Sequence, residues 1–168
     1  MRTKMCRNGE SMENGTLFLR LVDKYDKNLI LEWANDKLSR ENSFSSAEIS
    51  EEVHEKWFDN ILSSCDNKLF VMMNGEVPVG QIRLEILRNS GTVSYSIDNK
   101  YRGYGFGKII LELLEDWISF NYDTEFIIIG YVKTNNTTSG HIFESLDFMK
   151  SENSKYIKYS KQIIPKHR

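Results

Sequence analysis

The chain has 168 residues, enough for one domain with a sizeable core, and its 40% apolar and 27% charged residues are those of an ordinary globular protein. Twenty-two basic residues against 24 acidic ones leave a net charge of −2, which speaks against the basic surplus that nucleic-acid binders carry. No apolar run approaches the ~20 residues of a membrane span and the N-terminus has no secretory segment, so a cytoplasmic protein with neither membrane nor nucleic acid as partner is expected.

Met1 to Thr16 is polar and without periodicity and reads as a flexible tail. Leu17 to Val22 alternates and predicts a first strand. Leu29, Ile30 and Trp33 fall at helical spacing within Asp23 to Asn35. Asp36 to Ser46 is polar and serine-rich, carries Phe44, and reads as a loop. Ser50 is an N-cap, Glu51 and Glu52 suit a first turn, and Val53, Trp57, Phe58, Ile61 and Leu62 make the apolar stripe of a second helix.

Lys68 to Met73 is the second strand, Asn74-Gly75 a hairpin signal, Val77 to Leu87 the third strand, and Thr92 to Asp98 the fourth after a turn at Asn89 to Gly91. Ile110, Leu113, Leu114, Trp117 and Ile118 mark a long amphipathic helix from Lys108 to Phe120. Glu125 to Lys133 reads as a buried strand, Thr137 to Leu146 as a short helix, and Lys150 to Ser160 as a last strand or hairpin, with a basic tail over 161–168. Cys6 and Cys65 are expected as free thiols. His54, His141 and His167 show no ligand spacing with them, so no metal is expected.

Between the fourth strand and the long helix stands Tyr101-Arg102-Gly103-Tyr104-Gly105-Phe106-Gly107-Lys108. Glycine lets a backbone approach an anion closely, and a helix N-terminus adds unpaired N–H groups and partial positive charge. The segment therefore reads as a cradle for phosphate or pyrophosphate. The spacing of Gly103, Gly105 and Gly107 after antiparallel strands does not suit a dinucleotide fingerprint. A Walker loop fails at Arg102 and at Ile109. A bare turn does not need three glycines.

Arg-Gly-x-Gly-x-Gly between an antiparallel strand and a long helix, with Asn136, Phe143 and Asp147-Phe148 following the fifth strand, resembles the GNAT superfamily of acetyl-CoA-dependent N-acetyltransferases. The resemblance covers nearly all of Leu17 to Ser160. It implies an α/β (α+β) fold: one domain over 17–160, with a mixed, mostly antiparallel sheet of six to seven strands flanked by about four helices. It also implies that Arg102, Gly103, Tyr104, Gly105, Phe106, Gly107 and Lys108 hold the coenzyme A pyrophosphate. The pantetheine arm would pair with Tyr95, Ser96 and Ile97, an N–H near Ile97 would polarise the thioester carbonyl, and Asn136 and Phe143 would complete the coenzyme site.

Two positions depart from the family: Phe143 stands where a proton-donating Tyr is usual, and Thr92 where a Glu is common. Tyr131, Ser139 and Tyr104 are alternative donors, and His54 and Glu85 are the candidates for general base. Gln81, Arg83 and Glu85 share one face of the third strand, which is either solvated or the acceptor cleft.

Glu32 to Asp36, Arg40, Asn42-Ser43, His54-x-x-Trp57-Phe58 and Val79 to Arg83 resemble the bacterial branch that acetylates nucleotide-linked amino sugars, as in the pseudaminic acid pathway. That resemblance implies a small-molecule amine acceptor, a nucleotide sugar, held by Arg40, Asn42, Ser43, Gln81 and Arg83, in a monomer or homodimer. A protein N-terminal or ribosomal-protein acetyltransferase, or a non-catalytic acyl-CoA-binding module, are the alternatives.

Overall fold

The structure is a computed structural model and describes residues 15–166. Residues 1–14, with Cys6 and most of the expected N-terminal tail, and residues 167–168 lie outside the described residues. β1 (Leu17–Leu21) leads into α1 (Lys27–Asn35), α2 (Lys37–Asn42) and α3 (Glu51–Ser63). β2 (Asn67–Asn74), β3 (Val77–Leu87) and β4 (Ser90–Ile97) form a meander that runs into α4 (Phe106–Asn121). β5 (Phe126–Lys133), α5 (Thr137–Glu144) and the hairpin of β6 (Met149–Glu152) and β7 (Tyr156–Ile163) complete the chain.

The strands form one seven-stranded sheet in the order β1-β2-β3-β4-β5-β7-β6. Every neighbouring pair is antiparallel except β4 and β5. The mixed, mostly antiparallel sheet expected from the sequence is what the chain adopts, here with five α-helices among the described residues.

Both faces of the sheet are packed, and β2 shows why. Phe70 and Met72 point to the face covered by α4, where Ile82, Leu84, Ile110, Leu111, Leu114 and Ile118 make the larger core. Leu69, Val71 and Met73 point the other way, against Ile30, Trp33, Phe58 and Ile61 of α1 and α3. β2 is thus apolar along its whole middle, as a strand covered on both sides must be.

Local chemistry sets the entries. Asp23 and Asp26 form a capping box ahead of α1, and Arg20 of β1 grips the buried Asp26 at 2.7 and 2.8 Å. The Ser50 hydroxyl accepts the Val53 N–H at the start of α3.

Four features differ from the sequence expectation. Asp36 to Ser46 is not all loop, because α2 occupies Lys37–Asn42 with Asp36 as its N-cap. Its single large apolar residue, Leu38, is exposed, so no periodicity betrayed it. The first hairpin turns at Gly75-Glu76 and the second at Arg88-Asn89, each one residue or so from the expected place. β7 continues to Ile163, and the Lys166 N–H donates to the Ser119 carbonyl at 2.9 Å, so the fold overruns the expected end at Ser160.

Candidate active site

β4 and β5 pair only from Ser90–Ile127 to Val93–Gly130, although both strands continue beyond. The Asp98 N–H bonds the Val79 carbonyl at 3.0 Å. Antiparallel alternation then turns the N–H and C=O of Tyr95 and Ile97 away from β3, into the gap. Arg102 Nε donates to the Ile97 carbonyl at 3.0 Å, while the Ile97 N–H faces the gap.

The glycine loop lies at the mouth of this gap. Gly103 and Gly105 have φ of 84° and 86°, a region closed to most side chains. A Cβ at either would meet nothing within 4 Å, so backbone conformation requires the glycines and the space above the loop is open. Gly105 is the N-cap of α4 and supplies no side-chain cap. The N–H groups of Phe106 and Gly107 therefore keep the positive character of an uncapped helix start, while the Lys108 N–H turns back to the Gly105 carbonyl at 3.1 Å. Lys108 follows, half-exposed and 3.9 Å from Glu112. A pyrophosphate fits the chemistry of this donor set.

On β3, Gln81, Arg83 and Glu85 share the face that α1 and α3 cover further along, since Gln81 pairs with Val71 and Arg83 with Leu69. By register the same face carries Thr92, Ser94 and Ser96 of β4. Gln81 Nε2 donates to Ser96 Oγ at 3.2 Å. The Arg83 guanidinium lies 5.6 Å from the centre of the Trp57 ring and 3.0 Å from Glu85 Oε1. Arg83 Nε is buried without a hydrogen-bond partner. Across the gap, Tyr131 and Phe44 both meet the Tyr156 ring edge-on, at 5.1 and 6.3 Å.

Other candidates fall elsewhere. His54 is buried between α3 and α1, with its Nε2 donating to the Lys27 carbonyl at 2.9 Å and its ring against Trp57 and Phe58. Burial pushes its pKa below the ordinary value, so it is a neutral packing group. Arg40 is spent on its own segment: Nε bonds the Ala34 carbonyl, Nη1 the Ser45 and Ala47 carbonyls, and Nη2 the Ser43 hydroxyl. Ser43 in turn donates to Ser39 O at 2.7 Å. Both hold the turn that carries Asn42, rather than presenting unengaged polar groups.

Phe143 is 2% exposed, stacked on Tyr159 at 5.1 Å and packed edge-on against Phe148. It lies so close over Gly130 that a Cβ there would stand 2.5 Å from its Cζ. Its ring fills the core instead of lining the gap. Asn136 is the N-cap of α5, its Oδ1 accepting from the Ser139 N–H at 3.2 Å. Ser139 Oγ lies 3.0 Å from Tyr95 Oη, and burial pushes the Tyr95 phenol up to about 12.

Sequence reading missed the residues that join these parts. Trp33 Nε1 donates to Asp98 Oδ2 at 3.0 Å, Arg102 Nη2 bonds Asp36 Oδ2 at 2.5 Å, and Lys133 Nζ donates to the Glu41 carbonyl at 2.8 Å. The α1–α2 elbow thus touches the end of β4, the glycine loop and the end of β5. Asp36 followed three residues later by Ser39 is an N-cap signal that could have revealed α2, but its partner lies 66 residues away.

Residues 16–149 match the family model described as an acetyltransferase (GNAT) domain, and the chain belongs to that family. No curated protein matches the sequence. Solved structures share the fold at low identity. A spermidine N-acetyltransferase from Vibrio cholerae, in complex with CoA and spermine, superposes with a TM-score of 0.76 at 19% identity, over 88% of this chain and 95% of that one. A domain from Methanocaldococcus jannaschii gives 0.74 at 18%, covering 88% and 98%. The Campylobacter jejuni N-acetyltransferase PseH gives 0.67 at 14%, covering 87% and 97%.

Proposed function

We propose that the chain is an acetyl-CoA-dependent N-acetyltransferase acting on a primary amine, with a nucleotide-linked amino sugar as acceptor. The observation that carries the reading is an uncapped α4 N-terminus behind two left-handed glycines, opening beside the gap into which the Ile97 N–H points. Membership of the acetyltransferase family and the likeness to amine acetyltransferases support it.

In this reading Arg102 to Lys108 bind the pyrophosphate, and the edge of β4 from Tyr95 to Ile97, with the Asn136 amide, holds the pantetheine arm. Acetyl-CoA supplies the acetyl group as a thioester. The Ile97 N–H donates to the carbonyl oxygen as negative charge gathers there. The acceptor ammonium must lose a proton because it has no lone pair to attack with; Glu85, exposed on the polar face of β3 five positions from Gly80, the partner of Ile97, takes that proton through a chain of waters. A thiol is acidic enough to leave without the tyrosine that Phe143 replaces. Ser139, held by Tyr95, is the hydroxyl positioned at the start of α5 to donate toward the departing sulfur.

The acceptor class rests on the face bearing Gln81, Arg83, Thr92, Ser94 and Ser96, dense in hydroxyl and amide groups, and on the Phe44, Tyr131 and Tyr156 rings opposite. A polyhydroxylated ring suits both. Free-thiol release is measured with amino-sugar nucleotides, N-terminal peptides and spermidine. Fastest turnover on amino-sugar nucleotides is the expected result. Faster turnover on peptides would move the chain toward protein acetylation. Coenzyme binding without thiol release from any amine would make it a silent acyl-CoA-binding module, the reading that the buried Phe143 favours.

A further inference from the structure

Arg102 opens the glycine loop, yet only part of its guanidinium is directed at the loop's own surroundings. Of its five N–H groups, Nε bonds the Ile97 carbonyl at 3.0 Å and one on Nη2 bonds Asp36 Oδ2. Three remain for a ligand. The carboxylate that holds it belongs to the elbow between α1 and α2. The same Asp36 Oδ2 accepts from the Ser39 N–H at 3.1 Å and from the Ser39 hydroxyl at 3.3 Å, which starts α2. The pair is largely shielded, with side chains 29% and 17% exposed. Burial alone would raise the Asp36 pKa, but the hydrogen bonds from Arg102 and Ser39 outweigh it and the carboxyl stays below its ordinary range.

The elbow is anchored at two further points: Trp33 on Asp98 at the end of β4, and the Glu41 carbonyl on Lys133 at the end of β5. It therefore spans the gap where the two strands no longer pair. Asn42 and Ser43, candidates for contact with the acceptor, ride on it.

We propose that Asp36 is the positioning residue of the coenzyme site: by holding Arg102 it sets the glycine loop and the acceptor-side elbow in one register before either ligand binds. The proposal rests on the reading of the loop as the coenzyme pyrophosphate cradle. A bound pyrophosphate then meets a guanidinium already oriented, and the ordering cost of a long flexible side chain is met in the folded protein and not at binding. Because Asp36 also caps α2, whatever strengthens its hold on Arg102 steadies the acceptor wall, and the effect runs equally in both directions.

The test is calorimetric titration of coenzyme A into the full chain as wild type, Asp36→Asn, Asp36→Glu, Arg102→Ala and the Asp36→Asn/Arg102→Ala double variant. Asparagine is as good an N-cap as aspartate, so Asp36→Asn removes the charge and leaves α2 capped. We expect Asp36→Asn to weaken binding about tenfold, the scale of couplings between residues in contact. Asp36→Glu should recover most of the loss. The double variant should bind no worse than Arg102→Ala alone, a non-additivity that general loosening of the fold would not produce. Should Asp36→Asn fail to fold, Asp36→Ser, which also caps, takes its place in the same cycle.

Two results overturn the proposal and spare the loop reading: affinity of Asp36→Asn within twofold of wild type, or additive losses in the double variant. A wild-type chain that does not bind coenzyme A overturns the loop reading, and the role of Asp36 falls with it.

Discussion

Phe143 illustrates how a single position is decided by its neighbours. The motif places an aromatic residue seven positions after Asn136, and the residue is where the motif puts it. Its ring, however, is buried over Gly130 and stacked on Tyr159. Phe143→Tyr would therefore press a further, polar atom into an already filled core. The expected outcome is a stability loss of about 1–3 kcal/mol, the usual cost of overpacking, with no gain in thiol-release rate. Urea unfolding and steady-state kinetics check it; a faster enzyme of unchanged stability would show that the ring can turn toward the gap. Close by, Asp147 takes φ of 61°, a left-handed conformation that aspartate tolerates better than most residues.

At the scale of elements, legibility followed periodicity. α3 and α4 carry unbroken apolar stripes, and β2 to β4 carry turns with strong signals, so all were evident in the sequence. α2 was not, because Lys37–Asn42 buries no side chain and is held by Asp36 and Arg40 instead of by a core. The loop conformation was readable because glycine leaves a mark in sequence, and Gly103 and Gly105 do take left-handed φ. The proposed acceptor side was harder, because whether a polar residue such as Arg40 is spent on its own backbone depends on folding.

His54 shows the same limit. It titrates near neutrality in isolation, but it is packed between α1 and α3 with its pKa pushed down by burial. The unfolded chain takes up the proton first, so the contribution of His54 to stability is complete above about pH 6.5. It is lost as the pH falls below that value toward the folded pKa. The urea midpoint should fall between pH 7.5 and 5.5, and His54→Phe should remove that fall. Equal slopes for the two proteins would place the titration elsewhere.

For the whole molecule, the gap leaves the sheet joined at its middle by four residue pairs and by the elements that cross it. A ligand that binds only the folded chain stabilises all of it. At a hundred times its Kd, coenzyme A should add about 2.7 kcal/mol, a rise in Tm of about 5–10 °C for a domain of this size. Gly105→Val should abolish the rise, since a β-branched side chain suits neither the left-handed backbone nor the open ground above the loop. An undiminished thermal shift in that variant would put the coenzyme elsewhere on the surface.

The short seam between β4 and β5 also divides the chain by inheritance. The polar residues proposed to meet the acceptor from α2 and β3, namely Asn42, Gln81, Arg83 and Glu85, precede it in sequence, whereas the glycine loop, the Tyr131 and Tyr156 rings, Asn136 and Ser139 all come after β4. Under the proposed function, substitutions in the first half can thus reshape the polar wall of the acceptor site while the second half continues to hold the same donor. A lineage can then exchange one amine for another by drift in a contiguous stretch of gene while the fold is kept, as it is between this chain and structures 14–19% identical to it.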